Sequence, residues 1–252
     1  MDELEWEPAG EHLVSARHGD VAIVRLDRPD SLNALSPTML VDLARALRAA
    51  AAAPGVVLTG TGRAFSAGDD LVATADLERD EFMALIEGFQ ELTRAVLDTP
   101  GPVVAAVNGL AVGGAAELTL ACDARIGHPD AFFLFPENEL GLTVSNASTV
   151  LLQRAVGGRA LSLLLTGDRI PADEALRIGL LTELAPDPLR TAVARVADWV
   201  QPGRATAWHV DMLRPDRAMV EAALAREVVA AREVFDAGIA TAGADRFRRR
   251  HG

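Results

Sequence analysis

Short apolar runs alternate with stretches of helical spacing through the first two-thirds of this chain. Residues 13–17 and 21–26 are β-rich runs around His18-Gly19-Asp20 and predict a hairpin. A helix follows from Ser36 and Pro37 to about Ala53, with Ser at the N-cap, Pro at the first position and apolar residues at helical spacing. Pro54-Gly55 ends it, and Val56-Val57-Leu58 reads as a buried strand running into the Gly60-Thr61-Gly62 turn. Residues 81–97 predict a second helix, stopped by Thr99-Pro100-Gly101-Pro102. Residues 103–107 form a strand, Gly113-Gly114 opens a helix over 115–122, and 124–127 and 132–135 are further strands. From about Asn146 the pattern turns helical, punctuated by Gly157-Gly158, Gly167, Gly179 and Pro186. This alternation places the first part in the α/β class, with an α-helical tail. The boundary falls near Asp187, dividing the chain into residues 1–186 and 187–252. Periodicity shows no internal repeat.

Composition narrows the classes. The chain has 252 residues, enough to bury roughly 75% of its unfolded surface without staples. Its net charge is -12, and with no lysine all 24 basic residues are arginine. That balance argues against nucleic acid as a partner. No apolar run is long enough to span a membrane. The acidic start, Met1-Asp2-Glu3, lacks a signal-like apolar stretch, and the single Cys122 cannot form an internal disulfide. Both features lead to the expectation of a cytoplasmic protein.

Two carboxyls stand out. Glu117 closes the run Gly113-Gly114-Ala115-Ala116-Glu117, in the first turn of a predicted helix whose dipole favours a carboxylate. Glu137 follows Phe132, Phe133 and Phe135, where partial burial would raise its pKa. Different settings push two carboxyl pKa values apart, and such a pair can divide base and acid work. Glu139, two residues on, reads as a solvent-facing or structural carboxyl that shares a face with Glu137 if the chain there is extended. Ala64-Phe65-Ser66-Ala67-Gly68 is one residue short of a serine nucleophile elbow, and partners for such a serine are thin. Gly60-Thr61-Gly62 lacks the lysine of a P-loop. The five histidines show no ligand spacing, so no metal is expected.

Leu58 to Leu71, read with Asn108 to Glu117, resembles the crotonase (enoyl-CoA hydratase/isomerase) superfamily. The phrases are Ala64-Phe65-Ser66-Ala67-Gly68-Asp69-Asp70-Leu71 and Asn108-Gly109-Leu110-Ala111-Val112-Gly113-Gly114-Ala115-Ala116-Glu117. Arg28-Pro29 with Asn33-Ala34-Leu35, Thr166-Gly167 through Glu174-Ala175 with Gly179-Leu180, and the tail Phe247 to Arg250 extend the likeness along most of the chain. The resemblance implies a crotonase-like ββα spiral core with a C-terminal α-helical trimerisation region. It implies an enzyme that hydrates 2-enoyl-CoA thioesters, with Glu117 as base and Glu137 as acid. Backbone N–H groups of Ser66 and Gly114 would form the oxyanion hole. Coenzyme A would bind through Arg28, Ser66, Ala67, Gly68, Asp69, Asp70, Leu71, Gly113 and Gly114, with Arg63 and arginines 248 to 250 as further phosphate partners. No separate cofactor is implied, since coenzyme A belongs to the substrate. A homotrimer or dimer of trimers is implied. An isomerase that uses one glutamate, a thioester hydrolase, a decarboxylase and an inactive subunit are the competing readings. Where many hydratases have Pro-Gly-x-Gly-Gly, this chain reads Val144-Ser145-Asn146-Ala147-Ser148, expected to be a polar cap for a helix over 149–156 or a reshaped acyl pocket.

Overall fold

The computed structural model describes residues 4–74 and 76–251. In chain order the first elements are β1 (Glu7–Gly10), β2 (Leu13–His18), β3 (Val21–Leu26), α1 (Pro37–Ala50), β4 (Gly55–Gly60), β5 (Ala64–Ser66) and α2 (Arg79–Leu97). Next come β6 (Val103–Val107), β7 (Leu110–Val112), α3 (Gly114–Ala121), β8 (Ala124–Gly127), β9 (Phe132–Leu134), α4 (Glu137–Leu140), α5 (Ser148–Val156) and α6 (Ala160–Thr166). The last are β10 (Ile170–Pro171), α7 (Ala172–Ile178), β11 (Glu183–Leu184), α8 (Pro188–Trp199), α9 (Thr206–Leu213), α10 (Arg217–Asp236) and α11 (Ile239–His251). The expected hairpin and α1 are present, and Ser36 caps α1 by accepting from the Met39 N–H.

Two sheets organise the core. Seven strands run in the order β1-β2-β3-β4-β6-β8-β11, and four in the order β10-β9-β7-β5. Each long strand of the first sheet leads into a short strand of the second and then a helix: β4-β5-α2, β6-β7-α3, β8-β9-α4. This is the ββα spiral. Within the larger sheet β3, β4, β6, β8 and β11 are parallel. Parallel strands are covered on both faces, which explains near-continuous apolar runs such as Val103–Val107. Val56 and Leu58 of β4 pack toward Leu40, Leu43 and Leu47 of α1, while Val57 joins Val193 and Val196 of α8 on the other face.

The smaller sheet matters most for function. Strands β5, β7 and β9 are parallel neighbours, so their carboxyl ends lie side by side. The segment after β5 carries Ala67 to Leu71, the one after β7 carries Gly113 to Glu117, and the one after β9 carries Glu137. Ligand sites of open parallel sheets form at this edge, where successive strand ends converge.

Candidate active site

Glu117 and Glu137 share a cavity of about 80 Å³. Its walls include Ala67 and Asp69 after β5, Gly113 and Gly114 at the start of α3, and Leu140 and Leu142 after β9. Seven side-chain polar atoms are buried without a hydrogen-bond partner among the described residues. Four of them, Glu117 Oε1, Glu137 Oε2, Asp69 Oδ1 and Thr143 Oγ1, belong to residues that wall this cavity. Buried polar groups are otherwise almost always paired, so their clustering marks a place built for a ligand.

Glu117 sits one turn into α3 and is almost wholly buried. Its Oε2 accepts from the Ser145 N–H (3.0 Å), the Ser145 hydroxyl (2.7 Å) and Asn146 Nδ2 (3.3 Å). These donors fill one oxygen and leave Oε1 open. Burial raises the Glu117 pKa well above the usual carboxylate range; the nearby Glu137 charge adds to this, and the Ser145 bonds oppose it. The helix dipole therefore does not set this group's acidity, contrary to the sequence-based expectation, because dehydration outweighs it. Glu137 opens the single turn α4, and burial pushes its pKa up to about 7. A Cβ built on Gly113, whose φ is +54°, would lie 3.4 Å from Glu137 Oε1. Because 137–140 is helical, Glu139 turns away from Glu137 and is exposed, rather than sharing its face.

The N–H of Gly114, first in its helix, has no intrahelical acceptor and donates to no acceptor among the described residues. Phe89 closes over this glycine: a Cβ there would lie 2.5 Å from the ring. Ser66 is fully enclosed, its hydroxyl donates to the Asn33 carbonyl (2.7 Å) and accepts from the Gly68 N–H (3.1 Å), and it reaches none of the cavities at this edge. The loop turns at Gly68, with φ +82°, where a Cβ would collide with the Val112 carbonyl and lie 3.5 Å from Gly114 N. Beyond that turn Leu35 N–H donates to Gly68 O and Asp70 N–H to Leu35 O, which leaves the intervening Asp69 N–H without an acceptor among the described residues. Asp69 thus carries a free backbone N–H directly after the turn that approaches Gly114. Gly68 itself is visible in the sequence; its positive φ, which frees the next N–H, is not.

Two further cavities meet the first at Asp69, Leu71 and Leu140. One, about 900 Å³, is lined by Arg28, Arg63, Arg246, Asp70, Ala73 and Val112, among others. Arg28 Nη1 is held by Asp70 Oδ2 at 2.5 Å and donates to Ala34 O. Burial would raise the Asp70 pKa, but Arg28 and the Ala73 and Val72 N–H groups outweigh it and hold Asp70 below the usual range. Arg28 and Asp70 therefore brace the loop. Arg246 is a cation the sequence reading did not single out. The other cavity, about 390 Å³, lies between α2 and α11 and is walled by Leu77, Phe82, Leu85, Leu142 and Phe235, with Thr74 on one side. Arg248 stands at its rim, paired with Asp76 (2.6 Å) and Asp245 (2.5 Å). The side chain of Arg250 lies outside the described residues.

The segment Val144 to Ser148 departs from the expected cap. Residue 147, an alanine with φ +57°, is the N-cap of α5 and offers no side-chain bond. Glu227, arriving from α10, accepts instead from the Ala147 N–H (2.8 Å), the Thr149 N–H (2.9 Å) and the Thr149 hydroxyl (2.7 Å). Among the described residues no group of three or more His, Cys, Asp or Glu is arranged to hold a metal, and no helix is long and apolar enough to cross a membrane.

The family model described as enoyl-CoA hydratase/isomerase matches residues 16–248, and the chain belongs to that family of enzymes. A relative from Rhodobacter capsulatus named probable enoyl-CoA hydratase is 41% identical over 169 residues, covering 66% of each chain. The chain thus spans about two thirds of that relative's length. A short-chain-enoyl-CoA hydratase from Clostridium acetobutylicum is 33% identical, with 89% of each covered. Among solved structures, an enoyl-CoA hydratase/isomerase from Mycobacterium paratuberculosis superposes with a TM-score of 0.86 at 28% identity, covering 95% of this chain and 98% of its own.

Proposed function

We propose that this protein adds water across the 2,3-double bond of a 2-enoyl-CoA thioester. The observation that carries the reading is the pair Glu117 and Glu137, each with one buried, unpartnered oxygen, in one cavity with the Gly114 and Asp69 N–H groups. The thioester oxygen would accept from those two donors, which hold the negative charge that develops on it. Water held between the carboxyls attacks C3. Its proton passes to Glu117 Oε1, the oxygen left open by Ser145 and Asn146. Glu137 gives its proton to C2, a task suited to a carboxyl with a pKa of about 7. The electron pair of the double bond ends in the new C2–H bond after passing through the enolate, and a proton shift between the carboxyls restores the start. No separate cofactor takes part.

Coenzyme A would lie along the larger cavity, between Ala67 to Leu71 and Arg63 and Arg246. The exposed Trp208, Met212 and Leu213 of α9 would pack on neighbouring copies in a trimer or dimer of trimers. A monomeric mass in light scattering at micromolar concentration would overturn that assembly.

The test is turnover of a panel of 2-enoyl- and 3-enoyl-CoA thioesters, followed by absorbance of the conjugated thioester. Glu117→Gln and Glu137→Gln should each lower kcat roughly 10²–10⁴-fold on 2-enoyl substrates. Full hydration by Glu117→Gln would sink the assignment. Turnover of 3-enoyl substrates alone, surviving that substitution, would establish the isomerase reading instead.

A further inference from the structure

Thr93 is wholly buried on α2, one turn after Phe89, the residue that closes over Gly114. The reaction above gives it no part. Its hydroxyl lies 2.9 Å from Asn146 Oδ1 and 3.2 Å from the Asn146 carbonyl. Among the described residues no other group donates to Asn146 Oδ1. The nitrogen of the same amide is the end turned to α3. Asn146 Nδ2 donates to Gly114 O (3.2 Å) and Glu117 Oε2 (3.3 Å), and lies 3.2 Å from the Ser145 hydroxyl. This one side chain joins α2, at its oxygen, to the first turn of α3 and its carboxylate, at its nitrogen. Asn146 is buried with φ +59°, a left-handed backbone that asparagine tolerates better than most residues.

The two ends of an amide have nearly the same shape and opposite hydrogen-bonding chemistry, so its partners fix which end faces which way. Gly114 O and Glu117 Oε2 are acceptors and demand the nitrogen. The buried oxygen then needs a donor, and Thr93 supplies it. Without that hydroxyl the amide recovers its lost bond only by turning toward another donor, and the two bonds to α3 loosen with it. Glu117 has no cation to replace them. Glu137 of α4 and Glu227 of α10 face it as like charges. Asp69 walls the same cavity, and among the described residues no basic side chain does so. Arg94, next to Thr93 on α2, is paired with Glu87, Glu91 and Glu221, and Arg154 of α5 donates to Leu213 O. Nearby hydrogen-bond donors, rather than a cation, therefore favour the ionised form of Glu117. We infer that Thr93 is a positioning residue for the reaction: through the Asn146 amide it fixes the Glu117 carboxylate and the first turn of α3 in one geometry. Such a role rests on the hydration reading of the site.

The test is hydration of 2-enoyl-CoA thioesters across pH by the wild type, Thr93→Val and Thr93→Ser. Thr93→Val keeps the shape and removes the donor. Near neutral pH it should lower kcat about tenfold with KM nearly unchanged. It should also move the acidic limb of the kcat profile to higher pH, because Glu117 must be ionised to act as base. Thr93→Ser should return both toward the wild type. A loss of packing alone would lower Tm in both variants without moving the limb. An unmoved limb in Thr93→Val would overturn the inference, and so would a serine variant that folds without recovering. If the valine variant does not fold, Thr93→Cys, with its weaker donor, must show the same shift on a smaller scale, and an unmoved limb there overturns the inference equally. A wild type that hydrates no 2-enoyl-CoA would instead strike the hydration reading.

Discussion

Ser145 gives Glu117 two hydrogen bonds to one oxygen, from its backbone N–H at 3.0 Å and its hydroxyl at 2.7 Å. The hydroxyl bond lowers the Glu117 pKa against the burial that raises it. Ser145→Ala should therefore raise that pKa further and move the acidic limb of the kcat profile to higher pH, since the base must be ionised to act. A bond to a charged group contributes roughly 1.5–3 kcal/mol, so kcat near neutral pH should fall about ten- to a hundredfold. A profile superimposable on the wild type would mean that Ser145 does not tune Glu117.

The raised pKa of Glu137 also predicts how stability depends on pH. An unfolded glutamate titrates near its ordinary value of 4.5, the folded one near about 7. Between those values the folded state keeps a proton the unfolded state has lost. The contribution of this one group to stability is therefore full below about 4.5, falls as pH rises, and levels off above about 7. Glu137→Gln carries no such titration. Its Tm advantage over the wild type should be small at pH 5 and grow to several degrees at pH 8, corresponding to roughly 3 kcal/mol. A gap independent of pH, by scanning calorimetry, would contradict the burial of an ionisable group here.

Much of the frame is legible along the chain, and the reasons differ between parts. Strands β3, β4 and β6 of the larger sheet are buried along nearly their whole length and show as apolar runs. Strands β5 and β7 have three residues each, too few for a period, so the spiral repeat is invisible without the fold. Glu117 and Glu137 could be singled out because each adjoins a local signal, the double glycine and the phenylalanines. The free N–H of Asp69 was not singled out, because the turn at Gly68 decides which N–H is left without an acceptor, and that is a matter of backbone direction. Ser145 and Asn146 were visible only as part of a segment that could reshape the pocket, not as donors to Glu117, and Glu227 was not visible at all. Glu227 lies 80 positions from Ala147 and touches it only through the packing of α10 on α5.

Glu227 caps α5 in place of a local side chain, and the loop it holds is the one that carries Ser145 and Asn146. Glu227→Gln keeps the shape but sets an amide NH₂ against N–H donors. It should cost roughly 1–3 kcal/mol and lower Tm by several degrees. Because Asn146 also donates to Gly114 O, the slack should reach both Glu117 and Gly114, lowering kcat while KM changes little. A wild-type Tm and kcat in this variant would show that α5 needs no cap from α10.

The arginines near the larger cavity divide into two kinds, which separates binding from architecture. Arg28 is bonded to Asp70, so its removal leaves a buried carboxylate without its cation and should destabilise the loop. Arg63 and Arg246 also line the cavity, and neither makes an ion pair among the described residues. Arginine forks match phosphate oxygens, and the chain's net charge of -12 gives an anionic ligand no long-range attraction. Local contacts must then supply the affinity. Arg63→Ala with Arg246→Ala should raise KM for an acyl-CoA about tenfold and leave kcat nearly unchanged, the signature of lost uniform binding. The rise should shrink at high salt, where these contacts are already screened. An unchanged KM at low ionic strength would place the phosphates of coenzyme A elsewhere on the protein.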